Sequence, residues 1–179
     1  MRICFVTANY PPEAWGGTEQ VVAALARELR VLGAELVFVI SGSDERNRGT
    51  TVTDEIHEGV LVHRVTNHAD EHDANGFVRP RVLKIVRQLL GRHRPDIVHL
   101  HSFSRLGAGI TPICRELGMR TVVTFHDLWV TCARYFRVPI AGITCPSGTD
   151  RGPCVPCVNE LLHADPATVA AGLAERDRV

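Results

Sequence analysis

Residues 2–33 read RICFVTANYPPEAWGGTEQVVAALARELRVLG, and the fold class turns on this stretch. It opens on an apolar run, Ile3-Cys4-Phe5-Val6, that stops at Thr7-Ala8-Asn9 before two prolines. The run is too short for a secretory signal core or a membrane span and reads as a buried β-strand. A loop carrying Gly16-Gly17 follows, and then Val21, Val22, Leu25, Leu29 and Leu32 recur at helical spacing. Thr18 is a candidate N-cap, and Gly33 stands where a left-handed C-cap is wanted. A strand, a glycine loop and an amphipathic helix in that order make a βα unit.

The alternation continues downstream. Residues 34–40 (AELVFVI) and 60–65 (VLVHRV) read as strands, and the polar residues 67–76 as a loop. After Pro80, a stripe of Val82, Ile85, Val86, Leu89 and Leu90 predicts a second helix. Pro95-Asp96 opens IVHLH at 97–101, another short buried strand. Leu106, Ile110, Ile113, Cys114 and Leu117 are again helically spaced up to Gly118, with Pro112 marking a kink or a late start. Residues 120–125 (RTVVTF) form the last strand. Short apolar strands alternating with amphipathic helices predict an α/β fold, a Rossmann-like parallel sheet with helices on both faces. Ligands of such sheets gather at the carboxyl ends of the strands, which selects residues 9–18, 41–44, 99–103 and 126–129.

Residues 130–158 break the pattern. They hold four cysteines with no helical or alternating period and read as an irregular Cys-rich insert. A helix can start near Val158 and break at Asp165-Pro166. The chain ends in an Ala-rich, charged stretch without a stop signal, which reads as a cut rather than a natural terminus. At 179 residues, the whole of 1–179 is expected to be a single domain. Lys plus Arg equals Asp plus Glu, 20 each, and this balance argues against a nucleic-acid surface, which needs a basic excess. No run of eighteen apolar residues occurs, so a soluble, reducing compartment is the default and the cysteines need an explanation other than disulfides.

Three features carry chemistry. Gly16-Gly17 lets backbone N–H groups approach an anion at a helix N-terminus, although a tight turn would need the same residues. His99, His101 and His126 lie at strand ends, with His99 and His101 on one face; each could bind a sugar hydroxyl or phosphate, or be a satisfied structural histidine. Asp127 could orient His126 or cap the segment that follows. Cys132, Cys145 and the Cys154-Val155-Pro156-Cys157 pair suit a structural zinc ion, with unligated or disulfide-forming thiols and an iron–sulfur cluster as the alternatives. Cys4 and Cys114 fall on apolar periods and read as core thiols. Cys114-Arg115-Glu116 with Pro153-Cys154-x-x-Cys157 has the shape of a zinc deaminase signature, but its first half sits on the closing turn of a helix.

Taken together, residues 2–33, RPDIVHLHSF at 94–103 and TVVTFHDLW at 121–129 resemble the retaining glycosyltransferases of family 4, which have the GT-B fold. The resemblance covers residues 2–129 and extends to the cysteine insert, which a subgroup of that family also carries. It implies transfer of a sugar from a nucleotide-diphosphate sugar to a hydroxyl, with retention and without a catalytic metal. Gly16 and Gly17 would be the loop near donor phosphates and acceptor, His126 the histidine that contacts the transferred sugar, and His101 and Ser102 the strand end near the acceptor. The chain would be the N-terminal, acceptor-side domain, lacking the C-terminal domain that grips the donor and inactive alone. Acceptors would be sugars or glycolipids, and relatives work in the cytoplasm, many at the inner membrane surface. The alternative is a stand-alone, metal-stapled binding module without catalysis.

Overall fold

The computed structural model of the protein describes residues 1–43, 49–66, 77–134, 137–146, 148, 150–162 and 164–178. In chain order these form β1 (Arg2–Thr7), α1 (Gly17–Val31), β2 (Leu36–Ser43), β3 (Thr51–His57), β4 (Val60–Thr66) and α2 (Pro80–His93). β5 (Ile97–Leu100), α3 (Ile110–Glu116), β6 (Arg120–Val123), α4 (Cys154–Leu162) and α5 (Pro166–Arg178) complete the chain. The strands make one six-stranded sheet in the order β3-β4-β2-β1-β5-β6.

Side-chain alternation along the central strands explains why both faces are covered. In β1 and β2, Cys4, Val6, Phe38 and Ile40 point to one side, where the stripe of α2 and the buried residues of α3 meet them. Ile3, Phe5, Val37 and Val39 point to the other side, onto Val22 and Ala26 of α1. The two apolar clusters are separate, as a doubly wound sheet requires. A third cluster joins α4 and α5, through Val158, Val169 and Leu173, to Phe77, Ala108 and Trp129.

Two local expectations change. The sheet is not wholly parallel, because β3 runs antiparallel to β4 while the other neighbours are parallel. β3 has exposed residues at most positions, so it lacks the apolar signature that marked the other strands. The N-cap of α1 is Gly16 rather than Thr18, and no side chain caps it. Gly33 adopts φ +86° just after α1, which closes the helix through its N–H to the Arg30 carbonyl at 3.0 Å. The polar loop expected at 67–76 and Asp44 of the second candidate ligand region lie outside the described residues.

The expected insert is not irregular throughout, since Cys154 and Cys157 lie in the first turn of α4. Apolar contacts in the third cluster and arginine clamps hold this region. Arg134 donates to the Cys157 carbonyl at 2.9 Å and pairs with Glu160, and Arg151 pairs with Asp177 at 2.6 Å. Leu90 is fully buried and Leu32 is 79% exposed, so Leu90→Ala should lower unfolding free energy by about 2–5 kcal/mol. Leu32→Ala should change it by less than about 0.5 kcal/mol. Urea denaturation followed by circular dichroism checks both.

Candidate functional site

The strand order turns around β1. The chain moves from β1 to β2 and β4 on one side, then returns through α2 to β5 on the other. A crevice forms at such a reversal, outside the carboxyl ends of the two strands that flank it. The loops that leave β1, β5 and β6 at this edge carry the sequence-derived candidates. β5 alone separates β1 from β6, so the first and last of these loops start about 10 Å apart.

The β5 and β6 ends converge on a histidine pair. His101 Nδ1 and His126 Nε2 lie 2.8 Å apart, with ring centroids separated by 5.2 Å in a stacked arrangement. The ladder extends just past the strand ends, through His101 N–H to the Val6 carbonyl and Thr124 N–H to the Leu100 carbonyl, and so fixes both segments. His101 is only 4% exposed, whereas His126 is exposed. The two histidines therefore differ in kind: one can reach a ligand and the other supports it. His99 shares the face of His101, with ring centroids 4.1 Å apart, and its Nε2 lies 2.8 Å from Thr124 Oγ1.

Burial governs the charge state of this cluster. Desolvation first, then the neighbouring His99 and His126, pushes the His101 imidazole down to about 4. His99 is lowered for the same first reason, with His126 adding to it. Asp127, with two roles open from sequence, accepts from the Trp129 N–H at 2.8 Å and so caps the segment after the histidine. Ser102 is half-buried and accepts from the Ser104 N–H at 3.3 Å, which shapes the turn after β5.

The glycine loop is built differently at its two glycines. Gly17 faces open space, leaving its backbone accessible at the N-terminus of α1. A Cβ on Gly16 would meet the carboxylate of Glu19, which folds back into the first turn. Sequence reading missed the group that holds this loop. Arg64 of β4 is 3% exposed and donates to the carbonyls of Tyr10 at 3.0 Å and Pro11 at 2.6 Å. It also pairs with Glu55 at 2.5 Å and Glu13 at 3.5 Å. An arginine inside the apolar run VLVHRV was the available signal.

Beyond His126, Phe103 stacks on Trp129 with centroids 5.9 Å apart, and the Arg176 guanidinium sits 5.9 Å from the Trp129 ring. Phe103, Gly109, Trp129, Arg151 and Arg176 line part of a cavity of about 350 Å³ at this end of β5.

Structural zinc is not supported by the described residues. Cys132, Cys145, Cys154 and Cys157 all border one narrow cavity of about 30 Å³ and are free thiols. Among the described residues, however, no three His, Cys, Asp or Glu side chains are grouped so as to hold a metal ion. The Cys145 thiol turns to the Arg137 carbonyl at 3.5 Å, and Cys154-x-x-Cys157 is helical rather than a metal knuckle. Burial raises the Cys154 thiol, with Arg151 opposing. Cys4 and Cys114 are buried core thiols, the latter pushed up to about 11 by burial. Glu116, in the deaminase-like triplet, pairs with Arg87 on the surface.

This α/β fold, with its histidine pair at the ends of β5 and β6, can now be set beside known proteins. The sequence profile of Glycosyltransferase Family 4 matches residues 15–145, and the chain belongs to that family. A GDP-mannose-dependent alpha-mannosyltransferase of Mycolicibacterium smegmatis is 32% identical over 70% of this chain and 32% of its own length. A protein of the same description from Mycobacterium tuberculosis is 29% identical, again over 70% and 32%. The chain thus spans about a third of the length of these relatives. The catalytic domain of starch synthase IV from Arabidopsis thaliana, bound to ADP and acarbose, superposes with a TM-score of 0.49 at 20% identity. That match covers 71% of this chain and 34% of the other. No described helix is long and apolar enough to cross a membrane.

Two outcomes follow from the geometry. His101 takes up a proton in the unfolded chain near pH 6.5 but in the folded chain only near 4. Stability is therefore full above pH 6.5 and falls as pH drops through this window, by roughly 2–3 kcal/mol from His101. Urea unfolding at pH 7.5 and 4.5 should show the fall, and His101→Asn should make it shallower. Arg64→Met strands the Tyr10 and Pro11 carbonyls and should cost about 1–3 kcal/mol. Deuterium exchange at residues 13–17 should then be at least about tenfold faster.

Proposed function

We propose that the protein is the N-terminal, acceptor-side part of a retaining glycosyltransferase that moves a sugar from a nucleotide-diphosphate sugar to a hydroxyl. The observation that carries this reading is the exposed His126, fixed by buried His101 at the crevice beside β1 and β5. Family membership supplies the reaction class. The relatives named as GDP-mannose-dependent mannosyltransferases make GDP-mannose the first donor to test.

The residues divide the work. His126 contacts the transferred sugar, where a fixed side chain can stabilise developing charge more than water can. The open backbone at Gly17, at the positive end of α1, accommodates negative charge on the donor diphosphate. Arg64 keeps that loop in place. The acceptor, a sugar or glycolipid hydroxyl, enters from the Ser102–Phe103 side, and the nucleotide is held by a second domain outside residues 1–179. The sugar–phosphate bond breaks as the new glycosidic bond forms; the diphosphate leaves with the electron pair and takes up the proton of the acceptor hydroxyl.

The test is transfer from GDP-mannose, with other nucleotide sugars in parallel, by a protein that carries this domain at its full relative-like length. His126→Ala should lower kcat/KM by about 10²–10³-fold, the usual loss for one preorganised contact to the transition state. Residues 1–179 alone should show no turnover. Robust turnover by that segment, or an unimpaired His126→Ala enzyme, would overturn the reading.

A further inference from the structure

The bond between His101 Nδ1 and His126 Nε2 contains a single proton when both rings are neutral, and its position decides what His126 offers a ligand. The surroundings of His101 settle that position. Its Nε2 is buried without a hydrogen-bond partner. The ring next to it, His99, is engaged at its own Nε2 by Thr124 Oγ1, and Phe5, tilted by 54° with centroids 5.7 Å away, offers only a weak π face. A proton on His101 Nε2 would leave a buried N–H without a partner, the rarest kind of polar defect in folded proteins. A bare ring nitrogen there is more readily tolerated. The proton of neutral His101 therefore sits on Nδ1 and is donated to His126 Nε2. Neutral His126 must then carry its own proton on Nδ1, on the side of the ring away from His101.

We propose that His101 is a positioning residue that locks His126 in its Nδ1–H form, so that the exposed ring presents a fixed N–H donor to an oxygen lone pair of the sugar. This rests on the reading of His126 as the sugar-contacting group. It adds that His126 works as a hydrogen-bond donor and not as a proton acceptor, since its one basic nitrogen is already occupied by His101. It also moves His101 out of direct acceptor contact, for which a side chain 4% exposed is poorly placed. Burial and the two neighbouring imidazoles, which keep His101 neutral, act in the same direction.

The test is a two-bond ¹H–¹⁵N correlation spectrum of uniformly ¹⁵N-labelled protein at pH 8, which distinguishes protonated from bare ring nitrogens. The expected result is a protonated Nδ1 and a bare Nε2 at His126. In His101→Asn the side-chain amide can replace the Nδ1 donor, and the same pattern should persist. In His101→Leu the lock is gone, and His126 should shift toward the Nε2–H form. A protonated Nε2 at His126 in the unaltered protein would overturn the proposal even if neither variant folds, and so would an unchanged spectrum in a folded His101→Leu protein. In the longer transferase, kcat/KM should fall about tenfold in His101→Leu and recover in His101→Asn. Full turnover by His126→Ala would sink the sugar-contact reading while leaving the tautomer result standing. The wrong tautomer beside an inactive His126→Ala enzyme would sink the lock alone.

Discussion

The position of β1, hydrogen-bonded to β2 on one side and β5 on the other and buried on both faces, is the constraint on which the molecule depends. Cys4 and Val6 belong to one apolar cluster and Ile3 and Phe5 to the other, so a single strand holds the two halves of the interior together. The same placement generates the reversal of strand order. The crevice is therefore not an addition to the fold but a product of how its central strand is wound. Shifting β1 by one residue would exchange its side chains between the clusters and displace the glycine loop at the same time.

Around that crevice the polar groups are organised by burial more than by charge. His99 and His101 lie on the face where Phe5 packs, and desolvation keeps both rings neutral. Arg64, a strongly buried cation, directs its donors to loop carbonyls and to Glu55. The result is an exposed imidazole, His126, held by the buried His101, while the backbone of Gly17 stays open at the start of α1 and the Glu19 carboxylate folds back beside Gly16.

Much of this architecture was legible from residue order. Strands whose two faces are both buried are apolar along their length, and helices that cover them carry stripes such as Val82, Val86 and Leu90, so these elements announce themselves. β3 did not, because its partner β4 shields little of it and Thr51, Thr53 and Asp54 face solvent. His126 drew notice in the sequence because it stands at a strand end next to a change in pattern. The difference in burial between His101 and His126 was not legible, since spacing along a chain does not say which of two imidazoles is covered. The packing around the cysteines was not legible either: Val158, Val169 and Leu173, which join this region to Phe77 and Trp129, come from α4 and α5, at the margin of or beyond the segment without a period.

Arg64 joins places that are far apart in function. Its Nη2 donates both to the Pro11 carbonyl, in the loop ahead of Gly16-Gly17, and to Glu55, a partly exposed residue of the outermost strand. Outer strands ordinarily diverge freely between homologous proteins, because little packs against them. Glu55 is an exception: a change there removes a partner of a buried positive charge, and the disturbance emerges three strands away, in the loop after β1. Arg64 thus ties this unremarkable surface position to the backbone of residues 10–11, so that a change at either place is felt by the same guanidinium.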